Sequence, residues 1–366
     1  MIAKTPNGRW RVRIYQKTVE VATATFDKKR DAEAWEAEQK RSLVLGVWHD
    51  PRRGDVRFSD VIAEFNTSRK GSVGAHTFDT DEANLRLHIL PALEKRPIGT
   101  IEASQMEDIY AQLLQTKARP TVKRVRDSAV SLFEYAKKRK YVTTNVAQEA
   151  KVPRGSGRVT DKVRPLSATK VSRLIDTTRE SHPEYANALE FLLLTGIRWG
   201  ELAELRVGDL MDVPIPSINI TRSKSDGYDI TAPKSRKSRR VPLLERAAEI
   251  AKEQRQAKQP GTLLFCAPSG GRLNAGNLKR AIDWPKIASR HRLHDLRHTA
   301  ATNWIRYGMD VKMVSVWLGH SSSAVTHKVY AGWLGADSDL AAVKRLESAM
   351  ADETTMTASA SDEVAF

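Results

Sequence analysis

The chain has 366 residues, 40% of them apolar, and a formal net charge of +16. That length calls for two or three domains with real cores. No stretch approaches the roughly 18 consecutive apolar residues of a membrane span, the N-terminus carries no apolar signal core, and the single cysteine, Cys266, excludes an intrachain disulfide and a multi-cysteine zinc site. A reducing cytoplasm fits this usage, with Cys266 read as a small buried apolar residue. Positive excess of this size favours polyanions, nucleic acid before anionic membrane. Lys and Arg run through all the folded segments, which points to a long surface along DNA.

Residues 1–50 read as a small separate module. Asn7-Gly8 marks a turn, and Trp10, Val12 and Ile14 then alternate with Arg11, Arg13 and Tyr15. A period of two predicts a half-buried strand with a basic outer face. Val21, Thr23, Thr25 and Phe26 continue strand chemistry, and Asp27 is the expected N-cap of a helix carrying Ala32, Trp35 and Leu43 and stopping near Gly46. The simplest packing is a three-stranded sheet backed by one helix. Its outward Arg11 and Arg13 suit a β-ribbon in a major groove, against the plainer reading of a solvated face.

Residues 56–150 predict a helical domain. Phe58, Val61, Ile62 and Phe65 form one stripe. Leu85, Leu87, Ile89 and Leu90 lead to Pro91, expected to help end a helix. Met106, Ile109, Tyr110 and Leu113 form a third stripe, and Val122, Val125, Ala129, Leu132, Phe133 and Ala136 a fourth. Lys123, Arg124 and Arg126 fall near the N-terminal end of that last helix, where their charge opposes the helix dipole. A phosphate partner would offset the conflict, so these three are candidate DNA contacts. Residues 151–164 are rich in glycine, proline and charge and read as a linker. Leu189, Leu192 and Leu193 predict a buried helix ending near Gly196. Ile218-Asn219-Ile220, Tyr228-Asp229-Ile230 and Arg240-Val241-Pro242-Leu243 predict short strands of one small sheet. Residues 351–366 are small, polar and mildly acidic, as in a disordered tail.

The densest chemistry lies in His294-Asp295-Leu296-Arg297-His298, followed by Leu318-Gly319-His320-Ser321 and by Tyr330. Far upstream stands Arg198, in Thr195-Gly196-Ile197-Arg198-Trp199-Gly200-Glu201-Leu202, and Lys234 falls between. Transesterification of a phosphodiester needs an in-line nucleophile, positive donors on the nonbridging oxygens and an acid for the leaving oxygen. Two arginines from distant segments can grip one phosphate, since a guanidinium binds two oxygens at once and stays charged. A lysine among cations can donate the proton. The phenol of Tyr330 is a poor nucleophile at its free pKa of about 10, and packed cations are expected to favour the phenolate. His294 and His298 stand four apart, a metal-pair spacing, but no acidic or thiol ligand accompanies them, and His298 is read as packing or capping. Glu201 can orient Arg198 or simply be a surface partner.

With these residues in this order, residues 165–345 resemble the catalytic domain of the tyrosine recombinases, the group of phage integrases and Xer-type recombinases. Pro233-Lys234-Ser235, followed by Ser238-Arg239-Arg240-Val241-Pro242-Leu243, belongs to the match. Residues 56–150, with His88-Ile89-Leu90-Pro91-Ala92-Leu93, look like the family's helical core-binding domain, and residues 1–50 like the arm-binding module of many integrases. The resemblance implies a mainly α protein with small antiparallel sheets and a mixed α/β catalytic domain over residues 165–350. It implies that Tyr330 attacks the scissile phosphate to form a 3′-phosphotyrosyl link, that Arg198 and Arg297 hold the nonbridging oxygens, and that Lys234 protonates the leaving oxygen. His294 would assist as proton acceptor or donor, His320 would position Tyr330, and Glu201 would support Arg198. It further implies neither metal nor cofactor, double-stranded attachment sites of core and arm type, a homotetramer exchanging strands through a Holliday junction, and no membrane. The residues after Tyr330, around Leu340, Val343 and Leu346, would pack on a neighbouring protomer. A DNA-bending host factor and an excisionase follow only from the arm-like module. Asn145-Val146 departs from the Asn-Pro of many relatives, and Lys224 and Lys237 compete with Lys234. Two other readings stay open: a nicking-resealing enzyme of the type IB topoisomerase kind, and a DNA-binding architectural protein that has lost catalysis.

Overall fold

The computed structural model describes residues 1–16, 18–45, 50–154, 165–225, 227–233 and 237–330, together with Val343 and Glu347. The chain divides into two compact units, Met1–Thr160 and Asp161–Phe366. Residues 155–164 of the linker expected over 151–164, the expected helix stop at Gly46, Leu340 and Leu346 of the expected protomer contact, and the expected tail over 351–366 lie outside the described residues.

The first unit begins with an antiparallel sheet of β1 (Ile2–Lys4), β2 (Trp10–Gln16) and β3 (Val19–Phe26), followed by α1 (Lys29–Val44). Alternation decides the faces: Val12 and Ile14 are buried with Ala22 and Ala32, while Arg11 and Arg13 stand exposed on the other side. Asp27 does not cap α1. The N-cap is Lys28, without a side-chain bond, and Asp27 pairs with Arg9 across 2.7 Å.

Helices α2 (Phe58–Arg69), α3 (Ala75–Asn84), α4 (Leu90–Leu93), α5 (Ala103–Thr116), α6 (Arg119–Lys138) and α7 (Val146–Glu149) complete this unit. All six predicted apolar positions of α6 are buried. Pro91 does not end a helix. A π-helical turn, Leu85–Ile89, joins α3 to α4, and the wider turn accommodates the imide within the first turn of α4. Leu87 is turned out to solvent by that same turn. Asn145 explains how the chain manages without Asn-Pro: its side chain accepts from the Gln148 amide at 3.1 Å and donates to the Val130 carbonyl at 3.0 Å.

In the second unit α8 (Ala168–Ser181) and α9 (Pro183–Thr195) lead to Gly196, which closes α9 at φ +60°. A Cβ there would sit 2.9 Å from the Trp304 ring, so glycine is required by conformation and by space. A one-turn helix, α10 (Trp199–Leu202), comes next. β4 (Leu210–Met211), β5 (Ser217–Ile220) and β8 (Arg239–Pro242) form one antiparallel sheet. The segment around Ile230 is not part of it: β6 (Ser223–Lys224) and β7 (Ile230–Thr231) pair as a separate ribbon. That ribbon packs tightly on α10, where a Cβ on Gly200 would meet the Lys224 carbonyl at 2.5 Å. Helices α11 (Glu245–Arg255), α12 (Ala275–Ala281), α13 (Trp284–Ala288), α14 (Leu293–Arg306), α15 (Val311–Leu318) and α16 (Ser323–Tyr330) follow. Cys266 is only half-buried, its thiol 3.7 Å from the Leu263 carbonyl, because it lies in a loop beside Arg272 and not in the core. Among the described residues no helix is long and apolar enough to cross a membrane.

Candidate active site

Three arginines converge on the C-terminal end of α15. Arg239 Nε donates to the Trp317 carbonyl at 2.8 Å, Arg297 Nη2 to Leu318 at 2.5 Å and Arg198 Nη2 to Gly319 at 3.2 Å. The last carbonyls of a helix have no partner within it and carry the negative end of its dipole, so they hold guanidinium groups well. Gly319 ends the helix at φ +65° and directs the chain into His320. Arg297 also donates from Nη1 to the Gly196 carbonyl at 2.8 Å, which ties α14 to the end of α9. Residues separated by more than a hundred positions thus form one cationic site.

Glu201 is the counterweight. Its carboxylate is buried and accepts from Arg239 at 2.9 and 2.6 Å, from Arg198 Nη1 at 2.8 Å and from the Arg198 amide at 2.8 Å. Burial pushes the carboxyl up, but the hydrogen bonds and charge of Arg239, then the charge of Arg198, overcome it and bring it to about 2. Arg297, at 3% exposure, donates to backbone carbonyls and, among the described residues, to no carboxylate. Burial first, and then the like charge of Arg198, disfavour its charged form. An incoming anion would relieve both effects.

The imidazoles occupy the rim. His320 Nδ1 lies 2.7 Å from the Thr326 hydroxyl, and burial followed by Arg297 and Arg198 lowers it to about 4. His294 is exposed on α14, yet partial desolvation of its ring, and then His298 and Arg297, hold it well below its ordinary value. Both rings are therefore neutral at pH 7 in the absence of a phosphate. Among the described residues, no group of three or more His, Cys, Asp or Glu side chains is disposed to hold a metal ion.

Tyr330 ends α16 and is 1% exposed. Its hydroxyl is 2.7 Å from His298 Nδ1. The phenolate expected from packed cations is not what the site favours. Burial pushes the phenol up to about 12, and the opposing charge of Arg297 is the smaller effect.

The structure therefore brings together Arg198, Glu201, Arg297 and His320 around one helix end, with Tyr330 against α14. His294 and His298 share a face of α14, their rings edge-to-face at 4.9 Å. Lys234 lies outside the described residues, three positions past the end of the β6–β7 ribbon. Lys224 donates to the Tyr228 carbonyl within the ribbon, and Lys237 is exposed. In the first unit, Lys123 and Arg124 are exposed on α6. Arg126 donates to the Gln148 and Ala150 carbonyls and so fastens the segment around α7. Two important residues escaped the sequence reading. Arg239 is in phase with buried Val241 on β8, and an arginine on a strand's inward face implies a buried acid. His298 reads in sequence as a packing or capping residue four positions after His294; nothing local shows that its ring meets Tyr330.

Two family models match the chain: the phage integrase family over residues 164–333 and the phage integrase central domain over residues 58–152. A tyrosine recombinase of Thermosipho africanus is 25% identical over 74% of this chain and 91% of its own length. The integrase of Mycobacterium phage D29 is 25% identical over 86% of this chain and 87% of its own. Among solved structures, the Tn1549 transposon integrase in complex with transposon right end DNA has a TM-score of 0.66 at 20% identity, covering 80% of this chain and all of that one. The lambda integrase tetramer bound to a Holliday junction has a TM-score of 0.58 at 16% identity, covering 88% of this chain and 96% of that one. With both models in register along most of the chain, this protein belongs to the phage integrase family of tyrosine recombinases, enzymes that break and rejoin DNA.

Proposed function

We propose that the protein is a site-specific recombinase that integrates or excises mobile DNA through a 3′-phosphotyrosyl intermediate. The observation that carries this reading is the gathering of Arg198, Arg297 and His320 at the end of α15, on the element pair that also presents Tyr330. A phosphodiester at this point would take the donors of Arg198 and Arg297 that face away from the helix carbonyls, with His320 at its rim. Tyr330 Oη attacks phosphorus and the 5′ oxygen leaves, protonated by Lys234. Glu201 keeps Arg198 and Arg239 in place, and His294 lends a further hydrogen bond. The covalent link conserves the bond energy, so rejoining needs no nucleotide cofactor.

In this reading residues 1–50 form an arm-type DNA-binding module, with Arg11 and Arg13 on its outward face. Residues 56–150 form the core-binding domain, with Lys123 and Arg124 as backbone contacts, 151–164 the linker and 165–350 the catalytic domain. The working assembly is a homotetramer on two attachment duplexes in the cytoplasm, served where required by a DNA-bending factor or an excisionase.

The test uses a random-sequence duplex library with a 5′-bridging phosphorothiolate at a fixed position, so that cleavage releases a thiol and traps the covalent adduct. Wild type yields an adduct whose peptide maps to Tyr330, in excess chelator as well as without it. Tyr330→Phe binds DNA and yields none, since one hydroxyl adds little to a phosphate-dominated interface. An adduct on another residue removes Tyr330 as nucleophile, and a strict divalent-metal requirement overturns the metal-free scheme. Relaxation of supercoils without strand exchange between two selected sites would make the protein a topoisomerase instead.

A further inference from the structure

We infer that His298 is the group that takes the phenol proton when Tyr330 attacks, an assignment that rests on the phosphotyrosyl reading above. The geometry is direct: His298 Nδ1 lies 2.7 Å from the Tyr330 hydroxyl, within reach for a proton transfer along an existing hydrogen bond. His320 is engaged elsewhere, with Nδ1 on the Thr326 hydroxyl. His294 packs edge-to-face on His298, its ring centroid 4.9 Å away, and so helps fix the orientation of that ring. Tyr330 is 1% exposed, which leaves bulk water little access to its hydroxyl.

A buried phenol held up at about 12 cannot act as a standing phenolate at neutral pH. It needs an acceptor that is neutral before attack. His298 meets that condition, because burial and then the charge of Arg297 outweigh Asp295 and keep the ring below its ordinary value. The charged and titratable groups facing it are Asp295, Arg297 and His294 from α14, His320 from the turn after α15 and Tyr330 from α16. Transfer from so weak an acid to so weak a base is uphill in the resting site. It becomes favourable as the O–P bond forms, because the phenol oxygen then loses its basicity.

The step balances as follows. The Tyr330 Oη–P bond forms, the P–O5′ bond breaks, and the phenol proton passes to His298 Nδ1. The leaving 5′ oxygen receives its own proton from Lys234. On rejoining, the 5′ hydroxyl attacks phosphorus and gives its proton back to Lys234, the P–Oη bond to Tyr330 breaks, and the His298 imidazolium returns its proton to the departing phenol oxygen.

His298→Asn is the informative variant, because the amide oxygen can still accept from the phenol at about the place of Nδ1 but cannot take up its proton. Rates of covalent adduct formation are compared on one selected duplex, with an ordinary phosphodiester at the cleavage position and with the 5′-bridging sulfur. The thiol leaving group needs no acid, having a pKa of about 8.5, so the sulfur substrate isolates the nucleophile side. We expect His298→Asn to bind DNA and melt like wild type while forming adduct about 10²-fold more slowly on both substrates. Rates within threefold of wild type overturn the assignment. Rescue by sulfur also overturns it, since His298 would then serve the leaving group. The wild-type profile on the sulfur substrate supplies a measurement that needs no variant. Its rate falls as pH drops below the ordinary imidazole range and the acceptor becomes protonated, and a profile that stays flat down to the pH at which DNA binding is lost refutes the idea. Absence of any adduct with wild type, by contrast, would sink the phosphotyrosyl reading itself.

Discussion

Arg239 and Glu201 form a two-point ion pair inside the catalytic unit, Nη1 to Oε1 at 2.9 Å and Nη2 to Oε2 at 2.6 Å, with side-chain exposures of 6% and 0%. The same carboxylate holds Arg198, so the pair fixes a phosphate-binding arginine through a second arginine that never needs to touch DNA. Breaking such a pair from one side leaves a charge buried without its partner. Arg239→Met is expected to cost about 3–5 kcal/mol of stability, and Arg239→Met with Glu201→Met to recover much of that loss. Denaturant unfolding of wild type, Arg239→Met, Glu201→Met and the double variant tests the pair; independent, additive losses would show that it is not coupled. The pH dependence has a definite sign. The Glu201 carboxyl falls from 4.5 to about 2 on folding, so its contribution is complete above pH 4.5 and is lost as pH drops towards 2.

Gly319 is constrained twice over. Its φ of +65° strains any L side chain, and an added Cβ would lie 2.9 Å from Arg239 Cδ and Nε. Gly319→Ala is expected to lower stability by about 1–3 kcal/mol. It should also slow cleavage more than it weakens DNA binding, because the displaced turn carries the Gly319 carbonyl, which receives Arg198, and leads directly into His320. A Tm and a cleavage rate both equal to wild type would show that the turn relaxes freely.

Much of this architecture is legible in the sequence. Apolar periodicity located α2, α5 and α6 because each buries one continuous face, and the order Arg198, His294, Arg297, His320, Tyr330 identified the chemistry because few other activities need those groups together. What stayed hidden depends on tertiary distance. Pro91 reads as a terminator in sequence because the π turn before it depends on packing against α5 and α6, which sequence does not show. The strand segment around Ile230 looked like a third member of one sheet because strand chemistry does not specify the partner. The protonation of Tyr330 was misjudged because the surrounding cations are visible in sequence while the depth of burial is not.

A phosphate entering the site changes the proton balance. His320 is held at about 4 by burial and then by Arg297 and Arg198, and a bound phosphodiester would neutralise part of that positive field. Its pKa must then rise on binding, so DNA association takes up protons at mildly acidic pH. Calorimetric titrations at pH 5.5 in two buffers of different ionisation enthalpy should give a net uptake, smaller in His320→Asn. Equal observed heats in the two buffers, and so no proton uptake in wild type, would mean that His320 does not face the phosphate.

Arg297 tests whether fork geometry or mere charge matters at the phosphate. Its two terminal nitrogens span the Gly196 and Leu318 carbonyls at 2.8 and 2.5 Å, which orients the guanidinium plane between α9 and α15. A lysine at this position would keep the charge but could not span both carbonyls and a phosphate with its compact ammonium. Arg297→Lys is expected to retain most DNA affinity, because many other cations contribute to it, while covalent adduct formation falls by about 10²–10³-fold as a preorganised donor is lost. Burial at 3% exposure adds a second consequence, since an ammonium that cannot pair is readily deprotonated there. The residual activity of Arg297→Lys should therefore decline as pH rises from 6 to 9 more steeply than that of wild type, because a guanidinium holds its proton more tightly than an ammonium in the same place. If Arg297→Lys cleaves within tenfold of wild type across that range, positive charge alone is sufficient and the bidentate geometry is dispensable.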